Sequence, residues 1–152
     1  MKVVSYSLVI LAILAHVSVF AQSSAWQTEG TVKKTDGMYV ITGQSGGDDF
    51  PGLRLTIPAS CAGKKFTLSA EYQAKGIKGG GKAYHGVHFD YEMMAGGKQQ
   101  WAPDWRTGPV DEFRAIKREW IFPPNMSEAT VRIGLQGVDG ELVIKNLQSS
   151  GC

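Results

Sequence analysis

Three polar residues that could do chemistry alternate along one short stretch of the chain, His88, Asp90 and Glu92. The residues between them are apolar, so a β-strand would bury one side of this stretch and expose the polar side to solvent. We expect Glu71 and Gln73 to join the row from a neighbouring strand, because sequential strands often pair. Such a row could act as general acid and base, hydrogen-bond sugar hydroxyls, or form a plain solvated surface.

Aromatic side chains accompany this polar row. We expect Trp101 and Trp105 to lie in a loop that opens with Gly96-Gly97, and Tyr84 precedes the row. Flat apolar rings beside hydrogen-bonding groups suit a sugar ring, which has apolar faces and a rim of hydroxyls. The alternative is that both tryptophans cover the core.

Two pairs of residues are of types that bind metal ions. His85 and His88 are three residues apart, and on a strand this odd spacing places their rings on opposite faces. We therefore expect no shared zinc ion, with His85 in the core or at its edge and only His88 able to contact a ligand. Asp48-Asp49 could form a calcium loop or a solvated turn.

The elements that must position these residues are strands. Alternation of apolar and polar residues, interrupted by glycine, proline and Asp-Gly signals, predicts strands at residues 31–34, 38–42, 53–57, 65–75, 84–93, 110–122, 129–136 and 141–147. Helical periodicity is missing from the sequence, and Trp26 and Trp120 fall within strand-like patterns. About seven to nine short strands predict an all-β fold, a two-sheet antiparallel β-sandwich or jelly roll.

The first residues resemble a secretory signal rather than part of this fold. Lys2 is followed by an apolar run that ends near Ala21, which predicts a signal peptide over residues 1–21 and a single mature domain over residues 22–152. The run is too short for a membrane span, so we expect a secreted protein, extracellular or periplasmic. With 16 basic and 14 acidic side chains, the chain lacks the basic excess of a nucleic-acid or anionic-membrane binder.

Two cysteines, Cys61 and Cys152, lie in the predicted mature chain. In an oxidising compartment we expect them to form one internal disulfide that ties the C-terminus to the loop after residues 53–57. The alternatives are two free thiols, or a Cys152 that pairs with another molecule.

The order of these segments resembles carbohydrate-binding modules of the galactose-binding-like jelly-roll type. The resemblance is carried by Trp26, Gly30 and Val32 and by the segments DGMYVITG, LRLTIP, AGKKFTLSAEYQAKG, YHGVHFDYEM, REWIFPPNMSEATVRIGLQG and GELVIKNLQ. Such modules commonly occur beside glycoside hydrolases, and many hold a structural calcium. Lys145 stands where those relatives place a calcium-ligating aspartate, and Ser23-Ser24-Ala25 stands where an acidic residue is usual. We therefore expect calcium to be weakly bound or absent, and predict no other cofactor.

The sequence favours a secreted, lectin-like and non-catalytic protein that binds a polysaccharide or glycan. The predicted binding residues are Trp101, Trp105, Tyr84, His88, Asp90, Glu92, Glu71 and Gln73. One alternative is a small secreted polysaccharide-degrading enzyme, a hydrolase or lyase, that uses the acidic row with His88. A second is an extracellular protein-interaction module.

Overall fold

The computed structural model of the protein describes residues 26–103 and 106–152. The predicted signal peptide and Trp105 lie outside these residues. Among the residues described, no helix has the length and apolar character needed to cross a membrane.

The described chain forms eleven strands in two antiparallel sheets. They are β1 (Gln27–Glu29), β2 (Val32–Thr35), β3 (Met38–Gly43), β4 (Gly52–Ile57), β5 (Lys65–Gly79), β6 (Gly86–Ala95), β7 (Lys98–Trp101), β8 (Arg106–Thr107), β9 (Val110–Ile121), β10 (Met126–Gln136) and β11 (Val138–Gly151). The first sheet has the order β1-β4-β10-β6-β7, with β8 also pairing with β6, and the second has the order β2-β3-β11-β5-β9. The predicted all-β, two-sheet antiparallel sandwich is confirmed.

The core lies between the two sheets and is filled by the inward residues of the alternating patterns. Strand β6 contributes Val87, Phe89 and Tyr91, and β10 contributes Val131 and Ile133, all buried. From the second sheet, β5 buries the alternate residues Phe66, Leu68, Ala70, Tyr72 and Ala74. Each large apolar side chain removed from water contributes about 1.5–3 kcal/mol, so the inward faces determine how the strands are oriented.

Two hairpins turn on pairs of residues with positive φ. Asp36 and Gly37 have φ values of 48° and 76° and connect β2 to β3, as predicted. Gly96 and Gly97 have φ values of 57° and 72° and connect β6 to β7, where the sequence predicted a loop. A type I′ turn needs positive φ at both central residues, which two glycines adopt easily. The resulting hairpin pairs residues 98–101 with β6, so Trp101 lies in a strand.

The predicted disulfide joins Cys61 and Cys152, whose Cα atoms are 5.0 Å apart and 91 residues apart in the chain. Cys61 is buried in a short 3₁₀ turn, Ala59–Cys61. Nearby, Trp120 is buried and stacks on Phe66 with ring centroids 6.2 Å apart. Trp120 therefore belongs to the core, and Trp26 lies partly buried against it.

Candidate functional site

The polar row on β6 faces away from the core, but its expected partner strand lies elsewhere. Strand β6 pairs with β10, β7 and β8, whereas β5 pairs with β9 and β11 in the other sheet. The expectation that Glu71 and Gln73 join the row is therefore wrong. They project from the outer face of the second sheet, on the opposite side of the sandwich, because the chain crosses between sheets after β5.

Glu71 and Gln73 have local partners on that opposite face. The Glu71 carboxylate lies 2.8 Å from the Lys145 ammonium, which holds the pKa of this carboxyl below its usual range. The Gln73 side-chain amide donates a hydrogen bond to the Asp111 carbonyl oxygen. Lys145, which stands where similar modules place a calcium-ligating aspartate, thus forms an ion pair with a carboxylate. Among the described residues, no group of three or more potential metal ligands occurs.

A cleft of about 610 Å³ lies over the outer face of the first sheet. It is lined by Asp48, Ala83, Tyr84, His88, Asp90, Trp101, Arg132 and Gln136. Four residues predicted from the sequence therefore meet here, namely Tyr84, His88, Asp90 and Trp101. Asp48, Arg132 and Gln136 were not among the predicted binding residues.

The cleft floor is a buried chain of charged groups rather than a solvated row. His88 and Asp90 are only 2% and 1% exposed, and Arg132 is 6% exposed. The Arg132 Nε and Nη2 groups each donate to one oxygen of Asp90 at 2.9 Å, which forms a bidentate ion pair. Asp90 and Arg132 come together because they are directly opposite each other in the antiparallel register of β6 and β10.

His88 extends this chain towards the wall of the cleft. Its Nε2 lies 2.8 Å from the Tyr84 carbonyl oxygen, and its Nδ1 lies 2.8 Å from the Asp90 carboxylate. A carbonyl oxygen can only accept, and the Asp90 carboxylate already accepts from Arg132. Nε2 therefore donates to the Tyr84 carbonyl oxygen, and Nδ1 shares a hydrogen bond with the carboxylate oxygen that also accepts from Arg132 Nη2.

Glu92 lies beside the cleft and is also paired. Its carboxylate oxygens are 3.3 Å from Arg54 Nη1 and 3.7 Å from Arg132 Nη1. Arg54 in turn forms an ion pair with Glu29. Glu92 is opposite Trp101 in the register of β6 and β7, so this predicted residue supports the cleft without lining it.

Two aromatic rings contact the Arg132 guanidinium. Its central carbon lies 4.8 Å from the centroid of the Trp101 ring and 4.7 Å from that of Phe50. Trp101 remains 50% exposed, so one part of the indole is available to a ligand. Phe50 is buried over two glycines, since a Cβ at Gly52 or Gly134 would come within 2.9 and 2.7 Å of its ring. These glycines leave a hollow on the sheet that seats Phe50 and its loop.

Asp48 lies on the same loop as Phe50 and connects this loop to the segment before β6. Its carboxylate lies 2.7 Å from the Lys82 ammonium and 3.1 Å from the Tyr84 hydroxyl, and His85 Nε2 is 3.3 Å away. The hydrogen bond from Lys82, followed by those from His85 and Tyr84, lowers the pKa of Asp48 to about 2. We call this set, Asp48 with Lys82, Tyr84 and His85, the loop clasp. Asp48, considered above as part of a calcium loop, here accepts hydrogen bonds from side chains. His85 is buried, in agreement with its predicted place in the core or at its edge.

Comparison with solved structures assigns the fold. No protein-family model and no curated protein matches the sequence. The C-terminal family 22 carbohydrate-binding module of Clostridium thermocellum Xyn10B is similar, with a TM-score of 0.59, 11% identity and coverage of 84% of this chain and 86% of that module. The CBM22-1 xylan-binding domain of Paenibacillus barcinonensis Xyn10C has a TM-score of 0.56, 12% identity and coverage of 85% and 86%. A CBM4 structure has a TM-score of 0.54, 12% identity and coverage of 84% and 78%.

At these identities the similarity concerns the fold. The sequence resemblance to carbohydrate-binding modules of jelly-roll type is confirmed at that level. The chain has the β-sandwich of these carbohydrate-binding modules over most of its length.

Proposed function

We propose that the protein binds a polysaccharide or glycan in the cleft on the outer face of its first sheet. The observation that carries this proposal is Trp101, which presents a half-exposed indole at a cleft floored by buried, mutually bonded polar groups. A sugar ring can stack on such an indole while its hydroxyls meet hydrogen-bonding groups at the rim. The cleft lining offers three groups for such hydrogen bonds: the Asp48 carboxylate, the Tyr84 hydroxyl and the Gln136 amide.

The ion pairs of the carboxylates at the cleft support binding rather than hydrolysis or elimination. Glycoside hydrolysis uses two carboxyl groups that flank the bond to be broken, one of them as an acid. Both oxygens of Asp90 are bonded to Arg132, one of them also to His88, and Glu92 is paired with arginines. Glu71, which the enzyme alternative needed, projects from the other side of the sandwich. We therefore propose a non-catalytic binding protein.

We also propose that it acts outside the cytoplasm. The sequence pattern of residues 1–21 supports this, although these residues lie outside the described part of the chain. The Cys61–Cys152 disulfide is consistent with an oxidising compartment.

Replacing Trp101 with alanine tests the proposal. We expect the variant to fold and to lose most of its polysaccharide retention, because an aromatic anchor often contributes about 2 kcal/mol or more, a factor of roughly 30 in affinity. The measurement is affinity electrophoresis against a panel of soluble polysaccharides. Xylan comes first, because the similar Paenibacillus barcinonensis module is described as a xylan-binding domain.

Phe113→Ala is the matched control. Phe113 is 38% exposed and lies under the Lys145 ammonium, so it is an exposed aromatic on the opposite face. We expect this variant to be retained like the parent. Loss of retention in Phe113→Ala with full retention in Trp101→Ala would move the site to the second sheet. A parent that retains no polysaccharide but captures a secreted protein would instead favour the protein-interaction alternative.

A further inference from the structure

Arg132 contacts Asp90, Glu92, Phe50 and Trp101, and it was not predicted from the sequence as a site residue. We propose that Arg132 is a positioning residue that holds the Trp101 indole in the orientation in which it forms the wall of the cleft. The consequence for glycan affinity rests on the proposed function. The positioning itself concerns the protein without ligand and can be tested separately.

The guanidinium is held in one plane by its ion pairs. Two of its nitrogens donate to the two Asp90 oxygens at 2.9 Å, and the third lies 3.7 Å from a Glu92 oxygen. A bidentate pair fixes the direction of the planar fork as well as its position. Because Arg132 is only 6% exposed, water competes little for these bonds.

Trp101 depends on side-chain contacts for its orientation. It is the last residue of the four-residue strand β7, and its backbone is opposite Glu92. Backbone pairing fixes the Cα position but leaves several rotamers of the indole open. The guanidinium carbon 4.8 Å from the ring centroid selects among them, since a desolvated arginine attracts an aromatic face more strongly than an exposed one.

This arrangement would increase affinity without a direct contact between Arg132 and the sugar. The guanidinium fork is directed at Asp90 and Glu92, so its effect passes through the indole that it supports. A ring that is already oriented loses less conformational freedom when a ligand binds, which leaves more of the stacking energy as affinity.

The test uses Arg132→Lys, which keeps the charge and removes the planar fork. The protein is labelled with 5-fluorotryptophan, and the fluorine resonance of Trp101 is identified by its absence in Trp101→Phe. In the protein without ligand, we expect the Trp101 resonance of Arg132→Lys to move towards that of free 5-fluorotryptophan. We expect affinity for soluble xylan to fall about three- to tenfold.

Arg54→Lys is the matched control. Arg54 is opposite Arg132 in the register of β4 and β10, contacts the same Phe50 ring at 5.4 Å, and pairs with Glu29 and Glu92. We expect this variant to leave both the Trp101 resonance and the xylan affinity unchanged. An unchanged Trp101 resonance in Arg132→Lys would overturn the proposal. A fall in affinity without that change would mean that Arg132 contacts the sugar directly, which also overturns it.

A parent protein that does not bind xylan would count against the proposed function, while the fluorine spectra would still decide the positioning. Should Arg132→Lys fail to fold, the reciprocal variant Trp101→Ala provides the answer. The Arg132 Nε proton of the parent should show a ring-current shift that disappears in Trp101→Ala. An identical proton shift in the two proteins would overturn the proposal.

Discussion

Asp90 lies in a different environment from the one that the sequence predicted. The sequence placed it on a solvated face, where a hydrogen bond contributes only about 0.5–1.5 kcal/mol. In the structure Asp90 is 1% exposed and is hydrogen-bonded to both Arg132 and His88. Its charge is therefore paired with the buried Arg132 guanidinium.

Replacing Asp90 with asparagine should destabilise the whole protein. The variant leaves the buried Arg132 guanidinium without its carboxylate, and breaking a buried ion pair typically costs about 3–5 kcal/mol. Urea unfolding measures the loss. Asp49→Asn, at an exposed position in the loop that carries Phe50, serves as control and should stay within about 0.5 kcal/mol of the parent. Equal unfolding midpoints for Asp90→Asn and the parent would contradict the assignment of this buried charge chain.

At the scale of elements, the cleft is completed by two loops rather than by strands. The loop before β4 is seated by Phe50 over Gly52 and Gly134, and it carries Asp48. The segment before β6 carries Lys82 and Tyr84. The loop clasp connects the two through the Asp48 carboxylate.

The pH dependence of the loop clasp follows from the lowered pKa of Asp48. A carboxyl whose pKa falls from 3.8 to about 2 on folding stabilises the folded state fully above pH 3.8, and this contribution is lost as the pH falls through about 2. Lys82→Gln removes the largest cause of the shift, so the pKa of Asp48 should rise towards 3.8. Carbon-13 NMR of the side-chain carboxyl measures it. Lys33→Gln, on β2 of the other sheet, should leave the titration unchanged, and an unchanged titration in Lys82→Gln would contradict the clasp.

At the scale of the whole molecule, the disulfide ties the end of the chain to the sandwich. The last residues of β11, 148–151, pair with residues 66–69 of β5 and lie beyond an irregularity in the register. Cys152 joins this end to the buried Cys61. The bridge therefore limits fraying of a central strand of the second sheet.

Reduction of this disulfide should lower stability by about 2–5 kcal/mol, because the bridge restricts the unfolded chain over a long loop. Thermal unfolding with and without reductant measures the effect, and hydrogen exchange should show the loss of protection first in residues 148–151 of β11. A Cys61→Ala, Cys152→Ala double variant should not respond to reductant. Alkylation of both thiols in the natively produced, unreduced protein would show that the bridge does not form.

The sequence by itself determined the local features of this protein. Alternation in residues 65–75 and 129–136 predicted which side chains face the core, and Asp36-Gly37 predicted a hairpin, because side-chain direction along a strand and turn type depend on neighbouring residues only. The jelly-roll sandwich and the Cys61–Cys152 bridge were also predictable, since strand patterns cover the predicted mature chain and the sequence has no other cysteines.

Only the tertiary structure decided which strands are neighbours, and with them the site. Alternation showed that Arg132 faces outward, but the pairing of β10 with β6 that brings it to Asp90 joins residues 42 positions apart in the sequence. The pairing of β5 with β9 and β11 separated Glu71 from the cleft, and the loop residues Phe50 and Tyr84 contact His88 on the outer face. Such contacts are selected by the packing of the two sheets as a whole, because a local pattern carries no information about which distant strand will cover it.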